Sequence, residues 1–142
     1  MYIDEKISAY LEKIITINHL TLLYIDGTTF DPDVANVQKK AIIVNKNYQT
    51  KFSIYFRIAH EISHLIYTTS NTTYTFSPLS KLSDEKEANL HAIQILADFY
   101  FSENQTHSRW ERRFQFIETF GLGQIVHLVE KILIQEKVSS IN

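Results

Sequence analysis

Residues 52–67 read Phe52-Ser53-Ile54-Tyr55-Phe56-Arg57-Ile58-Ala59-His60-Glu61-Ile62-Ser63-His64-Leu65-Ile66-Tyr67, and the spacing of their apolar side chains predicts a helix. With Ile58 set at zero and about 100° allowed per residue, Ile54, Tyr55, Ile62, Leu65 and Ile66 all fall within roughly 80° of it. They form the stripe expected to face a core. His60 and His64 fall at about 200° and 240°, off that stripe, with Glu61 at about 300° beside them. A histidine pair that only filled space would lie on the stripe. This helix instead packs one face and offers the other to a cleft.

The order His60-Glu61-Ile62-Ser63-His64 is an H-E-x-x-H pattern, which on a helix presents two imidazoles one turn apart to a single metal ion. The chain has no cysteine, so a thiolate metal site and a thiol nucleophile are both excluded. Any further ligand must be His, Asp or Glu. A closed structural site takes four protein ligands, whereas a catalytic one takes three and keeps a position for water.

Downstream, Ser83-Asp84-Glu85-Lys86-Glu87-Ala88-Asn89 opens a further helical pattern. With Glu85 at zero, Ala88, Asn89, Ala92, Ile93, Leu96, Phe99 and Tyr100 lie within roughly 80°, so Glu85 heads the inward face. Glu87 lies at about 200° with His91, Gln94 and Asp98. It has a second reading, since Asp84 as N-cap with Glu87 three residues on resembles a capping box. The face favours Glu85 as third ligand. Asn89, one turn later, points the same way and could hold a ligand imidazole by its other ring nitrogen.

Around this core, 142 residues with 44% hydrophobic and 21% charged side chains describe one globular domain. Three Gly and two Pro argue for long helices with few tight turns. Ile3 to Ile17 reads as the first helix. Thr21–Ile25 and Ala41–Val44 read as short strands, with Asp33 to Gln38 a candidate third. Thr68 to Lys81 reads as a loop, a third helix as Ser83 or Asp84 to Phe101, and a helical hairpin as Ser108–Phe120 and Gly123–Lys137. The fold class is therefore α+β, mostly helical, with a small sheet. The motif-bearing part spans about residues 41–100, and the C-terminal hairpin about 108–137.

A net charge of -2 gives no field that would draw the chain onto nucleic acid or an anionic membrane. No apolar run approaches the ~18 residues that span a bilayer. Met1 to Tyr10 lacks the basic and apolar regions of a signal peptide, and a cytoplasmic location is expected. Arg109, Arg112 and Arg113 with Trp110 and Phe114 could suggest a basic-aromatic patch, but Glu111 and Glu118 interrupt it. A solvated helix face with Trp110 turned inward is the simpler reading.

Phe56 to His64, together with Glu85-Lys86-Glu87-Ala88-Asn89 and the Ala- and Leu-containing helix that follows, resembles the ImmA/IrrE family of metallopeptidases. The resemblance covers about Ala41 to Leu96. That family has a gluzincin-like zinc site, built from H-E-x-x-H and a Glu in an E-x-x-A-N/D helix. The resemblance implies a zincin-like fold, Zn2+ on His60, His64 and Glu85, Glu61 as catalytic glutamate, and Asn89 supporting a ligand. Ser63 stands where the family often has Gly, His91-Ala92 where it has Phe-Ala, and Ile95-Leu96-Ala97-Asp98 where it has Leu-Leu-Met-Pro. None of these departures touches a proposed ligand.

A His2Glu site with an open position suits zinc, with manganese and iron as alternatives. The implied activity is zinc-dependent hydrolysis of a peptide bond in a protein substrate. The family further implies a helix-turn-helix DNA-binding repressor, of a phage or other mobile element or of a stress system, as that substrate. The alternative function is a noncatalytic metal-binding module that sequesters such a partner. Tyr67, Tyr74 and His91 are candidate donors to a transition-state oxyanion. His19, His107 and His127 read as ordinary histidines.

Overall fold

The computed structural model describes residues 2–67, 78–102 and 109–141. Helix α1 (Tyr2–Ile17) is followed by strands β1 (Thr21–Ile25), β2 (Val34–Asn36) and β3 (Ala41–Asn45). Helix α2 (Ile54–Ile66) and the long helix α3 (Pro78–Ser102) come next. Helix α4 (Arg113–Phe120), a 3-10 turn (Gly123–Ile125) and helix α5 (Val126–Ile141) complete the described chain. Helices dominate an α+β domain with one small sheet, as the lengths of the periodic runs predict.

The sheet has the order β1-β3-β2, with β1 parallel and β2 antiparallel to the central strand. Ile42 and Val44 of β3 are fully buried and meet Ile7, Leu11 and Ile15 of α1 and Ile58 and Ile62 of α2 in a common core. Ile43 points to the opposite face, as alternation along a strand requires. α1 and α2 thus lie on the face that Ile42 and Val44 present.

Ser53 starts α2 by accepting the backbone N–H of Phe56 on its hydroxyl at 3.1 Å, which satisfies one of the unpaired donors of the first turn. α2 packs most extensively on α3. The inward face expected for α3 is observed: Ala88, Ala92, Ile93, Leu96 and Phe99 are buried. Ile95 and Ala97 are buried as well. α5 packs on α3 too, so α3 is covered over a wider arc than a single stripe.

Three expectations are corrected. Residues 78–81 are helical rather than loop, because Pro78 opens α3 at the position where its missing N–H costs nothing and its fixed φ suits a helix. Asp84 therefore lies inside α3 and is no N-cap, which removes the capping-box reading of Glu87. The helix expected to begin at Ser108 begins at Arg113. Residue 108 lies outside the described residues, and 109–112 form turns that end in the non-helical Arg112 (φ -101°, ψ 14°).

α4 ends at Gly121, whose φ of 67° lies in the left-handed region. The N–H of Leu122 bonds the carbonyl of Ile117 at 2.9 Å and closes the helix end. A side chain at Gly121 would also collide with the Lys51 carbonyl oxygen, while Ser53 N–H bonds the Phe120 carbonyl at 3.0 Å. The turn after α4 therefore carries the chain that leads into α2. Across the C-terminal helices, Arg113 bonds Glu130 at 2.9 Å and Arg109 bonds Glu136 at 3.2 Å. Two of the three arginines of the basic-aromatic stretch are thus neutralised by acidic partners. Trp110 is half-buried against the core, under the Arg113 guanidinium at 3.7 Å.

Candidate metal centre

His60 and His64 lie one turn apart on α2, and their Nε2 atoms approach to 3.2 Å. Glu85, delivered by α3, bridges them: Oε2 lies 2.9 Å from His60 Nε2 and Oε1 lies 3.0 Å from His64 Nε2. Tetrahedral donors about 2.0–2.1 Å from one small divalent ion stand about 3.3 Å apart. The His–His edge and the two His–Glu85 edges are each close to that length, the latter two made by different oxygens of one carboxylate, so the three side chains form a compact triangle. Among the described residues they are the one trio of His, Cys, Asp or Glu side chains close enough to hold a metal ion.

The electrostatics follow the same geometry. Hydrogen bonds from His60 and His64 hold the Glu85 carboxyl far below the usual carboxylate range. Burial works against a charged His64, but the hydrogen bond and the charge of Glu85 outweigh it and raise the imidazole pKa. Glu85 keeps 45% of its side chain exposed, so the site opens to solvent on the α3 side.

Glu61 lies beside His60 and is only 6% exposed. Its position about 60° from Ile58 on the helix puts it at the edge of the core stripe, which explains the burial. Oε1 is 3.9 Å from His60 Nε2, while Oε2 is buried with no hydrogen-bond partner among the described residues. Burial pushes its carboxyl up to about 7, against the pull of His60 and His64. A buried carboxylate oxygen without a donor is costly, and a group that brings a proton or positive charge relieves it. His60 Nδ1 is likewise buried and unpaired.

The centre opens on a cavity of about 970 Å³ whose lining joins His60, Glu61, Glu85 and Asn89 with Pro32, Asp33, Tyr48 and Arg57. Phe52 and Phe56, stacked at 4.9 Å, continue the His60 side along α2. Arg57 and Asp33 of this lining belong to a polar network that sequence reasoning missed. Arg57 donates to both oxygens of Asp33, at 2.7 and 2.8 Å, and to the Asn45 carbonyl at 2.7 Å. Asp33 Oδ1 in turn accepts the Asn45 N–H at 2.9 Å. The fully buried Asn45 side chain donates to the carbonyls of Thr28 and Asp31, each at 2.7 Å, and accepts the N–H of Gly27 at 2.9 Å. A Cβ at Gly27 would crowd that amide at 2.9 Å.

Glu87 stays outside the triangle, 3.8 Å from His91, so the choice between the two glutamates falls to Glu85. Asn89 lines the cavity, but no hydrogen bond joins it to His60 Nδ1. Tyr67 and His91 stack on one another, centroids 4.3 Å apart, and neither lines the cavity. Tyr74 lies outside the described residues. No family model, no curated protein and no solved structure matches the chain.

Proposed function

We propose that this protein is a zinc-dependent endopeptidase with His60, His64 and Glu85 as ligands and Glu61 as general base. One observation carries the reading: three donors from two helices form a ligand-sized triangle beside a buried, unpaired carboxylate, and both open on one cavity. Three protein donors leave a position for water, which is the stoichiometry of a catalytic site rather than a structural one. Zinc held there would supply Lewis acidity and make water a nucleophile near neutral pH.

Among the described residues Glu61 Oε2 has no competing donor, so it is free to take the proton of the attacking water and pass it to the leaving amine. Glu85 and the two imidazoles keep their donor atoms together through direct contacts. The Arg57–Asp33 pair ties α2 to the residue that immediately precedes the edge strand β2. The zincin-like fold and the ImmA/IrrE family enter through the resemblance of the motif. Through it the substrate is read as a helix-turn-helix repressor, met in the cytoplasm. No helix among the described residues is long and apolar enough to cross a membrane.

The test is metal analysis followed by co-incubation. About one zinc per chain is expected, lost in His60→Ala. Incubation with the repressor encoded beside this chain should yield two fragments, and a chelator should stop it. A stable complex with an intact repressor at every zinc level would favour the sequestering module instead.

A further inference from the structure

We propose that the free edge of β1 pairs antiparallel with β1 of a second copy of this chain, joining two sheets about a two-fold axis at Leu23. This surface is separate from the metal centre and does not depend on the reading of that site.

β1 lies at the end of the sheet order, and no described element pairs with its outer side. The hydrogen bonds on its inner side fix which groups are left. Thr21 N–H bonds the Lys40 carbonyl and the Ile25 carbonyl accepts from Lys46, both at 2.9 Å, so Thr21, Leu23 and Ile25 turn their backbone groups toward β3. Leu22 and Tyr24 therefore direct their N–H and C=O groups outward. Pairing Leu22 with Tyr24 of the other copy, and the reverse, would satisfy these four groups per seam side with four hydrogen bonds. Leu23 then faces its own symmetry mate as a non-hydrogen-bonded pair, where Cα atoms approach to about 4.5 Å.

The side chains suit this arrangement. Edge strands of monomers are commonly blunted by Lys, Pro or a bulge, and Thr21-Leu22-Leu23-Tyr24-Ile25 has none of these. Leu23, Tyr24 and Ile25 are 50%, 48% and 43% exposed. On the sheet face away from the helices, Leu23 stands in register with Ile43 and Val34, so a joined sheet would carry one apolar row across both copies.

Charge selects the antiparallel orientation and a like partner. Lys39 and Lys40 sit at the start of β1, where Lys40 bonds Thr21. Asp26 and Asp31 sit beyond its end and, with Lys46 nearby, leave that end net negative. A two-fold brings the basic end of each strand to the acidic end of the other. A parallel pairing would set like charges together.

Sedimentation velocity of the full chain between about 1 and 200 μM tests this, since a short strand seam supports only micromolar affinity. Wild type should pass from monomer to dimer across that range. Leu23→Glu and Leu23→Lys each place like charges on the axis at a half-exposed position, and each alone should weaken the dimer at least about tenfold. Their equimolar mixture should dimerise again, because only a contact of Leu23 with its own mate makes the two variants complementary. Thermal unfolding of each variant close to wild type shows that the fold is intact. A wild type that stays monomeric throughout, a dimer that both variants leave unchanged, or a mixture that stays monomeric would each overturn the proposal.

Discussion

Glu61 and Arg57 are four residues apart on α2, a spacing that by itself suggests an ion pair between them. The structure pairs Arg57 with Asp33 instead, 24 residues away in sequence, and leaves Glu61 Oε2 buried without a donor among the described residues. The meeting of His60 and His64 is legible in residues 60–64 because helical geometry alone brings side chains one turn apart together. The network behind it is not, because Asp33, Asn45 and Gly27 come together only when the sheet forms. Two predictions belong here. On the endopeptidase reading proposed above, Glu61→Gln keeps the volume of the side chain and removes the general base, so zinc content should stay near one per chain while cleavage falls about 10²–10⁴-fold. Measuring both on the same preparation separates loss of metal from loss of proton transfer. Arg57→Met leaves the Asp33 carboxylate, 7% exposed, without its counter-charge. That should cost about 3–5 kcal/mol in urea unfolding, and Asp33→Asn added to Arg57→Met should recover part of it.

Among the elements, those with an unbroken period were readable: α1, β1 and β3 fall within one residue of the boundaries that their apolar runs suggest. The start of α3 was not, since Ser, Thr and Asn are abundant before Ser83 and only Pro78 signals a first helical turn. The short α4 departs from its apolar run for a related reason. The apolar period continues through residues 109–112, while the backbone at Arg112 leaves helical geometry. Gly121 shows how one residue beyond an element can matter to another. Its positive φ ends α4, and the absence of a side chain admits the Lys51 carbonyl, two residues before the cap of α2. Gly121→Ala strains both features at once. It should destabilise the protein by about 2–4 kcal/mol, more than the ~1 kcal/mol cost of left-handed Ala alone, because backbone must also move. Chemical denaturation compared with Gly123→Ala provides the control, as a Cβ there meets no atom within 4 Å.

At the scale of the whole molecule, the two histidines and the glutamate belong to different helices, so a metal held by all three joins α2 to α3. Without the ion, that junction rests on the charged contacts of a half-exposed Glu85 and on the apolar packing of Ala88, Ala92 and Ile93. The core formed by α1, the sheet and the apolar side of α2 involves none of the ligands. Metal binding should therefore stabilise unevenly. At free zinc about 100 times its dissociation constant, binding contributes about 2.7 kcal/mol, which for a chain of this size raises the unfolding midpoint by about 5–10 °C. His64→Ala and Glu85→Ala should each fold yet show no zinc-dependent rise. Hydrogen exchange locates the effect. On chelation, protection should fall in residues 82–89 of α3 and around His64, while Ile42 and Val44 of β3 exchange as before. Loss of protection spread equally over β3 would mean that the metal holds the entire fold together. No rise in the midpoint with zinc, in a protein that binds it, would mean that the unfolded chain holds the ion as tightly as the folded one does.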